Sequence, residues 1–152
     1  IYVTEPDSYR ADKARAAGVD GVFDPKKVPV ADEIRKVVGR NPDVVMDCAG
    51  TETSIEEDAA IVKAHGRIVA LGVHMSNVAL FPMNWFMKEI QLHFSLAYNL
   101  REFESSLAQL ARGAVDPEVV VSDVVPLDKI AEAFDALHAP GHTKILIDCQ
   151  GG

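Results

Sequence analysis

The sequence predicts an α/β fold in which a parallel sheet is flanked by helices, and three stretches carry that prediction. Asp43-Val44-Val45-Met46-Asp47-Cys48-Ala49-Gly50 reads as a buried strand running into a small-residue turn. Arg67-Ile68-Val69-Ala70-Leu71-Gly72 is a second apolar strand ending on glycine. Between them, Thr53-Ser54-Ile55-Glu56 has the form of a capping box, in which a hydroxyl and a carboxylate satisfy the first free backbone donors of a helix. Strands without polar alternation, joined through a helix, are expected to run parallel and to be covered on both faces. Ligands of such sheets bind at the carboxyl ends of the strands, which places Cys48-Ala49-Gly50 and Leu71-Gly72-Val73 at the crevice.

The remaining elements follow in order. Ile1 to Glu5 alternates weakly and ends on a carboxylate, and Pro6 stops it. Asp7 or Ser8 can cap a helix through about Ala17, whose alanines at 11, 14, 16 and 17 allow close approach to a sheet, with Gly18 as its stop. Gly21-Val22-Phe23 is a short strand ended by Asp24-Pro25. Val30 to Val38 is amphipathic, with Ile34, Val37 and Val38 on one side and Gly39 at its end. Val78-Ala79-Leu80-Phe81 suits an edge strand, and Pro82 to Lys88 a turn of helix. Ile90 to Leu96 alternates as the last strand of this sheet. Asn99 can cap a helix from Leu100 to Arg112 with Phe103, Leu107 and Leu110 inward. Val119-Val120-Val121 and Val124-Val125 are extended. Asp128 to Leu137 is a helix with Ile130, Ala133, Phe134 and Leu137 on one stripe, and Lys144 to Asp148 is a final strand.

Composition narrows the function. A chain of 152 residues can bury a sizeable core as one domain. A net charge of −8 with no basic run argues against a nucleic-acid or anionic-membrane surface. No apolar stretch approaches a membrane span, and no secretory leader is expected. Cys48 and Cys149 are too few for a disulfide scaffold and lack metal-ligand spacing, so a reducing cytoplasm is the expected setting. His65, His74, His93, His138 and His142 are scattered without zinc-ligand spacing. Glu56-Glu57-Asp58 reads as a helix-dipole partner rather than a metal cage.

The ordered set of Ile1-Tyr2-Val3-Thr4-Glu5-Pro6, Ala17-Gly18-Val19-Asp20, Asp43 to Gly50, Gly66 to Gly72, Val125 to Phe134 and Lys144 to Asp148 resembles the zinc-dependent medium-chain dehydrogenase family. That family includes alcohol, sorbitol, butanediol and threonine dehydrogenases, and the Glu-Pro with Ser95-Leu96-Ala97-Tyr98 leans toward the butanediol branch. The resemblance implies a truncated Rossmann-type sheet without its first strand and glycine-rich turn, spanning residues 1–152, with 144–152 a strand that returns to a catalytic domain outside this sequence. It implies NAD as the cofactor and zinc bound by that other domain. Glu5 would accept hydrogen bonds from the adenosine ribose hydroxyls and repel a 2′-phosphate by roughly a few kcal/mol. A solvated glutamate at a helix entry is its plain alternative. Arg10 falls where a basic residue reaches the ribose, Cys48, Ala49 and Gly50 form the adenosine-side wall, and Leu71, Gly72 and Val73 pack on the nicotinamide. The Ser95 carbonyl and Ala97 amide would hold the carboxamide, and Lys144 would face the pyrophosphate. Arg10 and Lys144 are otherwise ordinary exposed cations. Cys48 reads as a small buried hydrophobe rather than a nucleophile, and His74, nearest the nicotinamide end, as a loop histidine.

The implied whole is an alcohol or polyol dehydrogenase, with this chain carrying the coenzyme and no catalytic or metal residue. Ile1 to Glu5 opens as a strand without lead-in, so the sequence is read as part of a longer polypeptide that alone would not turn over and would bind NAD weakly. With the central strand gone, Lys144 to Asp148 is one candidate to fill the vacant slot. A homodimer is expected through the Ser76 to Phe81 edge. The rivals are a zinc-free NADPH quinone oxidoreductase, a Rossmann-like methyltransferase and a non-catalytic nucleotide-binding module.

Overall fold

The computed structural model describes residues 1–150, and the chain divides into two compact units, residues 1–28 with 99–152 and residues 29–98. Every strand pair among the described residues is parallel, as expected for an α/β fold with helical crossovers.

In the unit of residues 29–98, β3 (Val44–Asp47), β4 (Arg67–Ala70) and β5 (Gln91–Phe94) form a sheet in the order β3-β4-β5. Its helices are α2 (Val30–Val38), α3 (Ser54–Ile61) and α4 (Pro82–Lys88). Ile34 is the buried residue of α2, and Gly39 closes that helix in the left-handed conformation, φ 76°. Ala59, Val62 and Ile68 are wholly buried, with Val45, Trp85, Ile90 and Leu92 packed around them. Two charged side chains tie α3 to α4. Glu56, in the first turn of α3, accepts hydrogen bonds from the Phe81 amide, Asn84 and the Trp85 indole. Lys88, at the end of α4, donates to the carbonyls of Ala59, Ala60 and Val62, which α3 cannot satisfy itself.

Four expectations fail in this unit. Thr53 makes no side-chain cap to α3; the nearby hydroxyls instead bond within the Thr51–Ser54 turn and to Asp47, while Glu56 is drawn to α4. Residues 78–81 are not a strand, because no neighbour pairs with them and Phe81 gives its amide to Glu56. β3 is not covered on both faces, since Val44 and Met46 are exposed. Cys48 is exposed rather than buried, since it lies just past the strand end.

In the other unit, β1 (Tyr2–Thr4) pairs with β2 (Gly21–Phe23) across α1 (Ser8–Ala16). Asp7 caps α1 by accepting from the Arg10 amide at 2.9 Å, and the Tyr2 and Phe23 rings stack with centroids 5.9 Å apart. α5 (Leu100–Ala111) begins with a full capping box, Asn99 and Glu102 each accepting from the other's amide. β6 (Val121–Pro126) and β7 (Lys144–Asp148) pair across α6 (Ile130–Ala136). β7 thus takes β6 as its partner and does not fill a slot beside β1 or β3. The stripes of α5 and α6 are not inward. Phe103, Leu107, Leu110, Ile130, Phe134 and Leu137 are all exposed, and Ala133 alone of the α6 stripe is buried. Nothing among the described residues of this unit supplies the face these helices need.

Candidate functional site

In the unit of residues 29–98 the site is built at the carboxyl end of β3. Asp47, the last residue of that strand, is 3% exposed. Its Oδ1 accepts from the Ala49 and Gly50 amides at 2.9 and 3.1 Å, and its Oδ2 accepts from the Ser54 hydroxyl at 2.7 Å. Its backbone carbonyl takes the Leu71 and Gly72 amides, both at 2.8 Å. One residue therefore folds the Cys48–Gly50 turn and docks the end of β4 beside it. Burial works to raise the Asp47 carboxyl, but Ser54, the Gly50 and Ala49 amides and His74 outweigh it and hold the group below the usual aspartate range.

The two turns meet backbone to backbone. A Cβ on Gly50, whose φ is 63°, would lie 2.7 Å from the Val73 carbonyl oxygen, and one on Gly72 would strike the backbone of Gly50. Only glycine at both positions permits this approach. Leu71 and Val73 beside it are exposed, free to offer apolar contact. The Cys48 thiol is pushed up by partial burial and by the Asp47 and Asp58 carboxylates, the opposite of what an activated nucleophile needs. Ser95 gives its amide to the Ala70 carbonyl at 3.0 Å, and Ala97 holds a left-handed backbone, φ 55°. For a residue with a side chain that conformation costs on the order of 1 kcal/mol, strain of the kind found at ligand contacts.

In the other unit, Glu5 stands just past the carboxyl end of β1, its amide bonded to the Phe23 carbonyl at 2.9 Å. Its Oε1 accepts from the Asp7 amide at 2.8 Å and from Arg10 at 3.1 Å, with the Glu5 side chain 19% exposed and that of Arg10 45%. Arg10 is held above the usual arginine range, first by its hydrogen bond to Glu5. Lys144 is the exposed first residue of β7, its backbone bonded on both sides to the Ser122 hydroxyl. The structure thus joins Glu5 with Arg10, and Cys48, Ala49 and Gly50 with Leu71, Gly72 and Val73. No hydrogen bond or ion pair among the described residues joins Lys144 to Glu5 or Arg10.

Two residues carry this architecture without having been singled out. Asp47 was legible only as a strand end, although an aspartate closing an apolar strand just before Cys-Ala-Gly is a signal for a buried carboxylate that folds the turn. Ser54, inside the expected capping box but not its cap, donates its hydroxyl to that carboxylate.

No group of three or more His, Cys, Asp or Glu side chains suited to a metal ion occurs among the described residues, so these side chains do not fit the zinc of such an enzyme. In one unit a carboxylate just past a strand end is of the kind that accepts hydroxyl groups, and in the other the glycine-only backbone approach leaves room for a ligand close to the main chain. No helix among the described residues is long and apolar enough to cross a membrane.

Comparison with known proteins defines the class. The zinc-binding dehydrogenase family model matches residues 1–112, and the chain belongs to that family. It is 28% identical over 152 residues to the 2-dehydro-3-deoxy-L-galactonate 5-dehydrogenase of Pseudoalteromonas atlantica, covering 99% of this chain and 44% of the relative. It is 24% identical over 153 residues to mouse sorbitol dehydrogenase, covering 99% and 43%. Among solved structures, 2R,3R-butanediol dehydrogenase from Bacillus subtilis superposes with a TM-score of 0.88 at 24% identity, over 99% of this chain and 44% of that one. An alcohol dehydrogenase from E. coli CFT073 complexed with NADH gives 0.88 at 19% identity, over 97% and 44%. A zinc-binding dehydrogenase from Sinorhizobium meliloti 1021 bound to NADP gives 0.84 at 23%, over 97% and 44%. These likenesses establish the Rossmann-type fold. The chain spans less than half the length of the relatives it matches.

Proposed function

We propose that this chain is the coenzyme-binding part of an NAD-linked, zinc-dependent dehydrogenase of alcohols or polyols. The observation that carries the reading is Glu5, a carboxylate set at the carboxyl end of β1 and steadied by Arg10 at 3.1 Å. A carboxylate there accepts hydrogen bonds from both ribose hydroxyls and repels a 2′-phosphate, favouring NAD over NADP. Arg10 orients Glu5 and approaches the same ribose, and Lys144 serves the pyrophosphate. Cys48, Ala49 and Gly50 supply the adenosine-side wall, Leu71, Gly72 and Val73 the apolar contact to the nicotinamide, and Ser95 and Ala97 backbone groups to its carboxamide.

NAD supplies the hydride acceptor when bound. The zinc that polarises the alcohol would be held by the part of such relatives that this chain does not match. The intact protein would act on a secondary alcohol in the cytoplasm, in keeping with two unpaired thiols, and bind neither nucleic acid nor membrane. A homodimer through residues 76–81 is part of the same reading. That segment carries exposed Leu80 and Phe81, apolar side chains that a second copy would cover.

Fluorescence titration of the full chain with NADH, NADPH and S-adenosylmethionine tests the coenzyme assignment. Saturable NADH binding, weaker NADPH binding and no response to the methyl donor are expected. Preference for NADPH would favour the quinone oxidoreductase reading, and binding of the methyl donor alone would overturn the dehydrogenase reading.

A further inference from the structure

We propose that Asp47 and His74 form a pH-sensitive latch that positions the Leu71–His74 loop against the Cys48–Gly50 turn, making His74 a positioning residue for the coenzyme wall. Its functional meaning rests on the coenzyme reading above, but its geometry stands within one unit of the structure.

The His74 side chain is 10% exposed and that of Asp47 1%. The ring is held at both ends by oxygen. Nδ1 lies 3.0 Å from the Thr51 carbonyl oxygen. Nε2 lies 3.0 Å from Asp47 Oδ2, an ion-pair contact without the alignment of a hydrogen bond. A carbonyl and a carboxylate only accept, whereas an imidazole with a single proton must present a lone pair to one of them. Protonated, it offers N–H to both, and the contact with Asp47 becomes attractive. Proton binding from solvent therefore closes the latch, and proton loss leaves a ring lone pair facing one of the two acceptors.

The contact has leverage because Asp47 already folds both segments. The carboxylate that meets His74 also receives the Ala49 and Gly50 amides and the Ser54 hydroxyl, and the Asp47 carbonyl receives Leu71 and Gly72. With Gly50 and Gly72 in backbone contact, a shift of the loop at His74 is felt by the turn opposite. The other titratable groups facing this cluster are Cys48 beside Asp47, and Asp58 and Glu57 on α3; Asp47 and Asp58 act on Cys48, and Asp47 and Glu57 on Asp58. Asp58 is the one to separate, since burial, Asp47 and Glu57 push its carboxyl up to about 7.

The test is a pH titration of the 15N-labelled full chain by NMR, across the roughly pH 5–8 range in which imidazoles titrate, in wild type and in Asp58→Asn. The His74 ring and the Gly50 and Gly72 amides are expected to share one midpoint in both. His74→Gln, a donor that does not titrate, should leave those amides flat. Amides that ignore His74 in wild type, or that keep the same pH dependence in His74→Gln or His74→Ala, would overturn the latch. If His74→Ala does not fold, wild type and His74→Gln decide. NADH affinity of the full chain should fall by about fivefold from the acidic to the alkaline end and be level in His74→Gln; the same slope in both would overturn the positioning role. No NADH binding at any pH would instead overturn the coenzyme reading, and the amide titration would still decide the latch.

Discussion

The two units of this chain handle their apolar side chains in opposite ways. In residues 29–98, α3 and α4 close over β4, and Ile55, Ala59, Val62, Ile68 and Ala70 are buried. In the unit of residues 1–28 and 99–152, the buried apolar side chains among the described residues are Ala11 and Ala133, while the larger ones along α5 and α6 face outward. α5 and α6 carry apolar side chains in a stripe at helical spacing, whereas α3 has little such periodicity and yet is the better buried. The difference teaches that periodicity announces which face of a helix requires cover, while the cover itself comes from whatever element lies opposite.

The sharpest way to break that contrast is at its most buried point. Ile68→Ala removes a wholly buried side chain between α3 and the sheet and is expected to cost about 2–5 kcal/mol. Urea denaturation reads this as a lowered midpoint at unchanged slope. A loss below about 1 kcal/mol would mean that residues 29–98 hold no consolidated core.

Asp58 should give the next largest effect, with the opposite sign. Because its carboxyl is raised to about 7, the folded chain binds that proton more tightly than the unfolded chain. Stability therefore declines as pH climbs from the ordinary aspartate range to about 7. Asp58→Asn removes the penalty and should gain about 1–2 kcal/mol near pH 8, after allowance for its part exposure, and nothing near pH 3. Thermal unfolding at both pH values checks it; an equal gain at both would refute the assignment.

Glu56→Gln comes third. It keeps the shape of the α3–α4 clasp but removes the charge from three hydrogen bonds, for an expected loss of about 1 kcal/mol. Trp85 is the only tryptophan, so its fluorescence reports the clasp directly. The smallest effect belongs to the exposed stripe: Phe134→Ser should move the urea midpoint by no more than about 0.5 kcal/mol. A large loss there would show that α6 is covered in solution.

The same physics explains what could be read from the sequence. The strands, their parallel sense and the helices at 8–16, 30–38 and 100–111 were legible because each is written locally, in alternation, caps and terminal glycines. The Glu5–Arg10 pair and the Gly50–Gly72 approach lay within reach of the family resemblance. Residues 78–81 were not, since an apolar run before proline reads as a strand whether or not a neighbour exists. Thr53-Ser54-Ile55-Glu56 misled for a related reason. A capping box is a local pattern, and here its carboxylate, Glu56, is taken by a longer-range partner, Trp85, while Thr53 makes no cap. Polar side chains near a strand end answer to tertiary neighbours that no sequence window contains.

The central claim is that Glu5 selects the coenzyme through its charge, and nucleotide preference in a single variant tests it most directly. Fluorescence titration of wild type and Glu5→Gln with NADH and NADPH should show NADH bound at least about tenfold more tightly by wild type, and that preference largely erased by the neutral side chain. An unchanged preference in Glu5→Gln would contradict the account.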